Sequence, residues 1–174
     1  MRILLTGPPG CGKTTAVMKI ARLLDRKLRL AGFYTEEMRE AGRRVGFRWH
    51  RLDGRTGTLA HVKTRSPHRV SKYGVDLESF ESEAVSILDP EAPNVDLFVI
   101  DEIGKMECFS EKFVDAIRRL LKSDKSVLAT VAQKGSGLIQ QVKNCPGVEL
   151  LHLTRENRDE MTQQVADRLG SGTK

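Results

Sequence analysis

Apolar residues follow two spacings along this chain. In the first they run almost without interruption, as in "RILLTG" at 2–7, "VDLFVID" at 95–101, "SVLATVA" at 126–132 and "VELLHL" at 148–153. Runs this short that are apolar on both sides fit strands buried within a covered parallel sheet. In the second, apolar residues recur every three or four positions, which is the period of a helix face. Val17, Ile20, Ala21 and Leu24 predict a helix over 13–28, and Leu77, Phe80, Ala84, Ile87 and Leu88 predict one over 75–88. Phe113, Ile117, Leu120 and Leu121 predict a third over 110–123, with Ser110 as its N-cap. A short helix is expected over 136–144 and a last one over 154–169, capped by Thr154, with the terminal "GSGTK" frayed.

One region breaks this alternation. After "LAGFYTEEMRE", which reads as a strand, Gly42, Gly46, Gly54 and Gly57 punctuate short alternating stretches, the pattern of an antiparallel hairpin or meander. The expected architecture is therefore α/β: a three-layer sandwich around a mostly parallel sheet. One domain spans 1–174, with a basic hairpin insertion at about 39–65.

Composition narrows the class. The 174 residues suffice for one domain with a sizeable core, and 39% hydrophobic with 30% charged residues describes a globular chain. No apolar run approaches the roughly 18–20 residues of a membrane helix. Three cysteines, Cys11, Cys108 and Cys145, show no paired or zinc-type spacing, so a reduced cytoplasmic setting is expected. A net charge of +6 admits a nucleotide or nucleic-acid partner but is also ordinary for a small soluble protein.

The chemistry is written in two places. "GPPGCGKT" at 7–14 fits the phosphate-loop pattern G-x-x-x-x-G-K-[ST], in the required frame of a preceding strand and a following helix. Gly7, Gly10 and Gly12 let the backbone curl with its N–H groups inward, and the helix N-terminus adds to that anion cradle. Pro8 and Pro9 stiffen the loop, Cys11 fills it with its side chain turned from the phosphates, Lys13 reaches the β- and γ-phosphates, and Thr14 offers a hydroxyl to Mg²⁺. Asp101, 87 residues after Thr14 at the end of an apolar run, is the acid expected to hold the magnesium shell.

Glu102 follows Asp101 directly. Asp101 alone would serve magnesium in a kinase or a hydrolase. A second carboxylate beside the γ-phosphate can orient or deprotonate a water, which a phosphotransferase would avoid, so the pair favours hydrolysis. Glu107, beyond Lys105 on a loop that can fold back, reads equally as a supporting or alternative base and as a surface ion-pair partner. Thr130 or Gln133 would reach the γ-phosphate or the water if the 126–132 strand lies between the phosphate-loop strand and the Asp101 strand, the RecA-like order.

Several stretches together resemble one family. "GPPGCGKTT", "GFYTEEMREAGRRVGF", "KYGVDLESFE", "DEIGKMECFSEKF" and "TRENRDE" are similar to the small P-loop nucleoside-triphosphatases first described from thermophiles, a family that includes the cancer-related nucleoside-triphosphatases of vertebrates. The matches run from residue 7 to 160. The resemblance implies slow, Mg²⁺-dependent hydrolysis of nucleoside triphosphates (ATP, GTP, CTP, UTP) to diphosphates with broad base tolerance. It implies that Gly10, Gly12, Lys13, Thr14 and Thr15 bind phosphate and metal, and that Asp101 and Glu102 serve the magnesium shell and the water. Cys108, often Leu in the family, and Ser71, often Gly, depart from its pattern.

No N-K-x-D guanine-reading motif occurs. Arg155, Asn157 and Arg158 are the base-side candidates, since an arginine stacks on any base, although a solvated helix start explains them as well. Two alternatives stay open: a nucleotide or polynucleotide kinase whose lid would use Arg39, Arg43, Arg44, Arg48 and Arg51, and a nucleic-acid-binding module in which the basic hairpin contacts phosphates while Phe47 or Trp49 stacks on bases. A monomer without a nucleic-acid partner is the favoured reading.

Overall fold

A computed structural model describes residues 1–172. Nine strands form one sheet in the order β5-β6-β4-β3-β2-β7-β8-β1-β9. The strands are β1 Arg2–Thr6, β2 Leu30–Glu40, β3 Arg43–Arg51, β4 Thr56–His61, β5 Arg69–Val70, β6 Tyr73–Val75, β7 Leu97–Ile103, β8 Ser126–Val131 and β9 Glu149–His152. From β2 to β9 across the sheet every pairing is parallel, and from β2 to β5 every pairing is antiparallel. The 126–132 strand does lie between the phosphate-loop strand and the Asp101 strand.

The helices are α1 Lys13–Leu24, α2 Leu77–Ser79, α3 Glu111–Lys122, α4 Leu138–Lys143 and α5 Arg158–Ser171. They cover both faces of the parallel half. Alternation along each strand sorts its side chains into two cores. Ile3 and Leu5 of β1, Leu97 and Val99 of β7 and Leu128 of β8 pack with Val17 and Ile20 of α1 and Val165 and Leu169 of α5. Leu4, Phe98, Ile100, Val127 and Ala129 face the other way, onto Phe113, Ile117 and Leu120 of α3 and Leu138 of α4. On that side Phe33, Phe80 and Phe113 form an aromatic cluster, with Phe33 and Phe80 edge-to-face at 5.4 Å.

Three expectations change. The helix predicted over 75–88 is a composite: β6 reaches Val75, Asp76 caps α2 by accepting from the Ser79 N–H, and the chain then widens into a π-helical turn, Phe80–Val85. A wider turn still places Phe80, Ala84 and Leu88 on the core side, so apolar spacing could not separate it from an α-helix. The last helix starts at Arg158 rather than 154. Thr154 and Asn157 close a separate turn, each backbone N–H donating to the other's side-chain oxygen. That helix continues through Gly170 and Ser171; of the tail expected to fray, residues 173–174 lie outside the described residues.

The arginine-rich stretch forms β2 and β3 of the sheet and not a helical lid. Its charges are largely paired locally: Glu37 accepts from Arg39 and Arg44, while Arg51 pairs with Asp53 and Glu83. Trp49 is 2% exposed, with its indole N–H donating to Ser79, so it is a core residue and cannot stack on an incoming base.

Candidate active site

β1 leads into the phosphate loop, and α1 leaves it. Gly12 occupies the N-cap position of α1 at φ 99°, a left-handed conformation, and a β-carbon there would come within 2.7 Å of the Arg158 side chain. Both facts call for glycine. Gly7, Pro9, Gly10, Gly12, Lys13 and Thr14 line an open cleft of about 650 Å³. Cys11 is buried with its sulfur against Gly7, as expected of a loop filler, whereas Pro8 and Thr15 are exposed outside the cleft lining.

Opposite the loop, the apolar strand does not end at Asp101 but runs to Ile103. Leu97, Val99 and Asp101 alternate onto the α1 side, which brings the Asp101 carboxylate to the loop. It is 1% exposed and well held. Thr14 Oγ1 donates to one oxygen at 2.7 Å and Thr130 Oγ1 to the other at 2.6 Å. Burial pushes this carboxyl above its ordinary range, and the hydroxyl donors and Lys13 oppose that rise. Thr130, fully buried, therefore serves the acid instead of facing the cleft; Gln133, two residues past the end of β8, is the one of that pair that lines it.

Glu102 lines the cleft from the next position. Its Oε2 lies 3.9 Å from Lys13 Nζ, and that amine also donates to the Gly7 carbonyl at 3.2 Å. Burial raises the Glu102 carboxyl, Lys13 lowers it, and Asp101 raises it again. Glu107 is not a surface ion-pair partner. It sits in a 3₁₀ turn, Glu107–Phe109, only 5% exposed, where burial pushes its carboxyl up to about 8. Gly104 makes this possible: a β-carbon there would meet Glu107 Oε2 at 2.8 Å and Glu102 Oε1 at 3.2 Å, so the two carboxyls converge on the space a side chain would fill.

The far wall of the cleft is Thr35, Glu36, Glu37 and Phe47, from β2 and β3. Of these, Phe47 was a base-stacking candidate in the sequence, while Thr35, Glu36 and Glu37 were missed, although Thr35 stands just past the β2 residues paired to β7, at the carboxyl end of a parallel sheet, where ligands gather. Asn157 and Arg158 lie at the start of α5. Asn157 is engaged by the Thr154 N–H and donates to the His152 carbonyl, while Arg158 lies against Gly12.

Magnesium asks little of the protein: one hydroxyl or carboxylate, with waters and phosphate oxygens completing six positions. No cluster of three or more His, Cys, Asp or Glu able to hold a metal occurs among the described residues. The direct Thr14–Asp101 contact beside the anion cradle fits that sparse type of site.

A strand–glycine loop–helix, with β8 inserted between the loop strand and an acidic strand, defines this fold as a P-loop NTPase. Within that class the chain belongs to the family whose model is described as NTPase, which matches residues 2–166. It is 41% identical over 165 residues to nucleoside-triphosphatase THEP1 of Thermotoga maritima, covering 95% of this chain and 93% of that one. It is 38% identical over 186 residues to the Homo sapiens cancer-related nucleoside-triphosphatase, covering 99% and 98%. The crystal structure of THEP1 from Aquifex aeolicus superimposes with a TM-score of 0.87 at 36% identity, covering 97% of this chain and 99% of that one.

Proposed function

We propose that this chain is a Mg²⁺-dependent nucleoside-triphosphatase that hydrolyses ATP, GTP, CTP and UTP to the diphosphate and phosphate. The observation that carries the reading is the juxtaposition of Lys13, Thr14, Asp101 and Glu102 across one cleft. The family membership and the names of the relatives support it.

The loop N–H groups of residues 7–14 hold the β- and γ-phosphates, and Lys13 leaves Glu102 to pair with γ-phosphate oxygens. Magnesium, when bound, supplies neutralising charge at those oxygens; the Thr14 hydroxyl would hold it directly, and Asp101 through its water shell. The two hydroxyl donors on Asp101, Thr14 and Thr130, fix that acid in place. Glu102 orients a water and accepts its proton as the oxygen attacks phosphorus, a task suited to a carboxyl that burial makes more basic than usual. Glu107, protonated near pH 7, supports Glu102 from behind Gly104.

Base tolerance follows from Arg158, a guanidinium at the loop that stacks on a base without reading it; Asn157 shapes the turn beneath it. Among the described residues lining the cleft there is no arginine to act as a finger on the transition state. Turnover is accordingly slow, below roughly 10 per second. The chain acts as one domain and a monomer in the cytoplasm, in keeping with three free cysteines and with the absence, among the described residues, of a helix long and apolar enough to cross a membrane.

The test is phosphate release from each of the four nucleoside triphosphates, with Mg²⁺ and with excess chelator. Release from all four with Mg²⁺, and from none with chelator, is expected. No release from any of them with Mg²⁺ would overturn the reading.

A further inference from the structure

The cleft does not end at Glu102. A second cavity of about 300 Å³ lies on the other side of that residue, and Thr35, Phe47, Glu102, Ala132 and Lys134 belong to both spaces. A single hydrolytic water needs no such room. The volume is at the lower end for small-molecule sites, about 300–1,000 Å³, and the walls have the character of one: mainly apolar, with a few convergent polar groups. Leu59, Val70 and Met106 supply the apolar wall together with Phe47. Glu107 closes it from the buried side. Lys105 and Lys134 are exposed at its edge and form no ion pair among the described residues.

The order of the parts matters. The cradle holds the leaving diphosphate, Glu102 stands next, and the cavity opens beyond it. A hydroxyl presented from the cavity would face the γ-phosphate from the side away from the cradle, within reach of the same carboxylate. Two free ammonium groups at the edge suit an anionic tail.

We propose that this cavity is a phosphoryl-acceptor site for a small hydroxy-carboxylate: an alcohol on an apolar body, carrying one anionic group. This rests on the reading of Glu102 as the proton acceptor. The acceptor oxygen bonds to the γ-phosphorus, and its proton passes to Glu102. The bond from that phosphorus to the β–γ bridging oxygen breaks, and its electron pair departs with the nucleoside diphosphate. The products are a phosphate monoester and the diphosphate; Glu102 then returns the proton to solvent. When the cavity holds only water, the same steps give hydrolysis.

The experiment measures diphosphate, inorganic phosphate and phosphomonoester together, by chromatography and phosphorus NMR. The full chain is supplied with ATP and Mg²⁺, alone and with 4-hydroxybutyrate, 6-hydroxyhexanoate or 4-(hydroxymethyl)benzoate. With at least one of these, diphosphate exceeds inorganic phosphate and the difference is recovered as the ester. Val70, which lines the second cavity but not the phosphate cleft, is the residue to enlarge. Val70→Trp abolishes ester formation and leaves hydrolysis without acceptor unchanged; Val70→Phe serves if the larger variant does not fold. Diphosphate equal to inorganic phosphate with all three acceptors overturns the proposal while leaving the hydrolase intact. Ester formation unchanged in a folded Val70 variant overturns it as well. No diphosphate under any condition defeats the hydrolase reading and this one together, whereas ester without background hydrolysis defeats only the hydrolase.

Discussion

The two halves of the sheet solve different problems with the same backbone. In the parallel half, β7 and β8 are apolar on both faces, and the polar groups they carry are concentrated at their carboxyl ends: Asp101 and Glu102 on one, Thr130 on the other. In the antiparallel half, β2 beyond Phe33 and β3 carry charged side chains along their length, several of them paired within the half: Arg39 and Arg44 with Glu37, and His50 hydrogen-bonded to Glu36. A buried acid is costly and is retained only with its donors in place, so the parallel half is intolerant of change. Exposed ion pairs contribute about 0–1 kcal/mol each, so the antiparallel half can vary while still walling the cleft with Thr35, Glu36, Glu37 and Phe47.

Substitution should expose that contrast. The largest effect is expected at Lys13. Lys13→Ala removes a preorganised cation from the γ-phosphate and should lower kcat/KM for every nucleotide by about 10²–10³-fold, measured by steady-state phosphate release; comparable losses for ATP and UTP would place the effect on phosphate and not on base.

Next comes Glu107, through pH. Its folded value of about 8 lies above the ordinary glutamate value of 4.5, so protonation favours the folded state. That stability is fully present below pH 4.5 and is lost as pH rises through about 8. Denaturant unfolding of the nucleotide-free chain should therefore show a decline on the order of a few kcal/mol between pH 5 and 8. Glu107→Gln should flatten the share of that decline which Glu107 contributes, leaving whatever Asp101 and Glu102, also raised by burial, contribute. Parallel curves for native and variant would count against a buried, protonated Glu107.

Thr130→Val tests the acid's support. Losing one hydroxyl donor to a buried carboxylate should cost about 1.5–3 kcal/mol of stability and raise the Mg²⁺ concentration needed for half-maximal turnover. Stability unchanged in urea would mean that Asp101 finds another donor.

The smallest effect belongs to the antiparallel half. Ser71 has φ 54° in the two-residue turn between β5 and β6, a left-handed conformation that hairpin turns require and that suits glycine. Ser71→Gly should raise stability by about 1 kcal/mol or less and leave turnover unchanged. A loss of activity would mean that this half takes part in the chemistry.

What the sequence disclosed follows the same division. The phosphate loop is legible because its glycines are demanded by backbone geometry, and α1 and α3 because one face of each is apolar. The strand order that places β8 beside β7 was foreseen as a condition and is met. Hidden features depend on what folds back. Polar Asp101 and Glu102 look like the end of a strand, though hydrogen bonding carries β7 two residues further. Glu107 reads equally as a supporting base and as a surface ion-pair partner, because only Gly104 in three dimensions leaves room to bury it. Thr130 has no motif; its role comes from register, with Ala129 paired to Ile100 and the hydroxyl thereby set against Asp101. Phe80, Ala84 and Leu88 share a face in either kind of turn, which concealed the π-helical segment.

In the proposed reaction Glu102 is the group that handles the acceptor's proton. The most direct measurement compares the native chain with Glu102→Gln for affinity toward a fluorescent nucleoside triphosphate and for single-turnover phosphate release with Mg²⁺. The amide keeps size and polarity but cannot take a proton, so nucleotide binding should persist while the chemical step slows by about 10²–10⁴-fold. Release at the native rate by a variant that binds nucleotide normally would show that the proton goes elsewhere, and would contradict the assignment of Glu102.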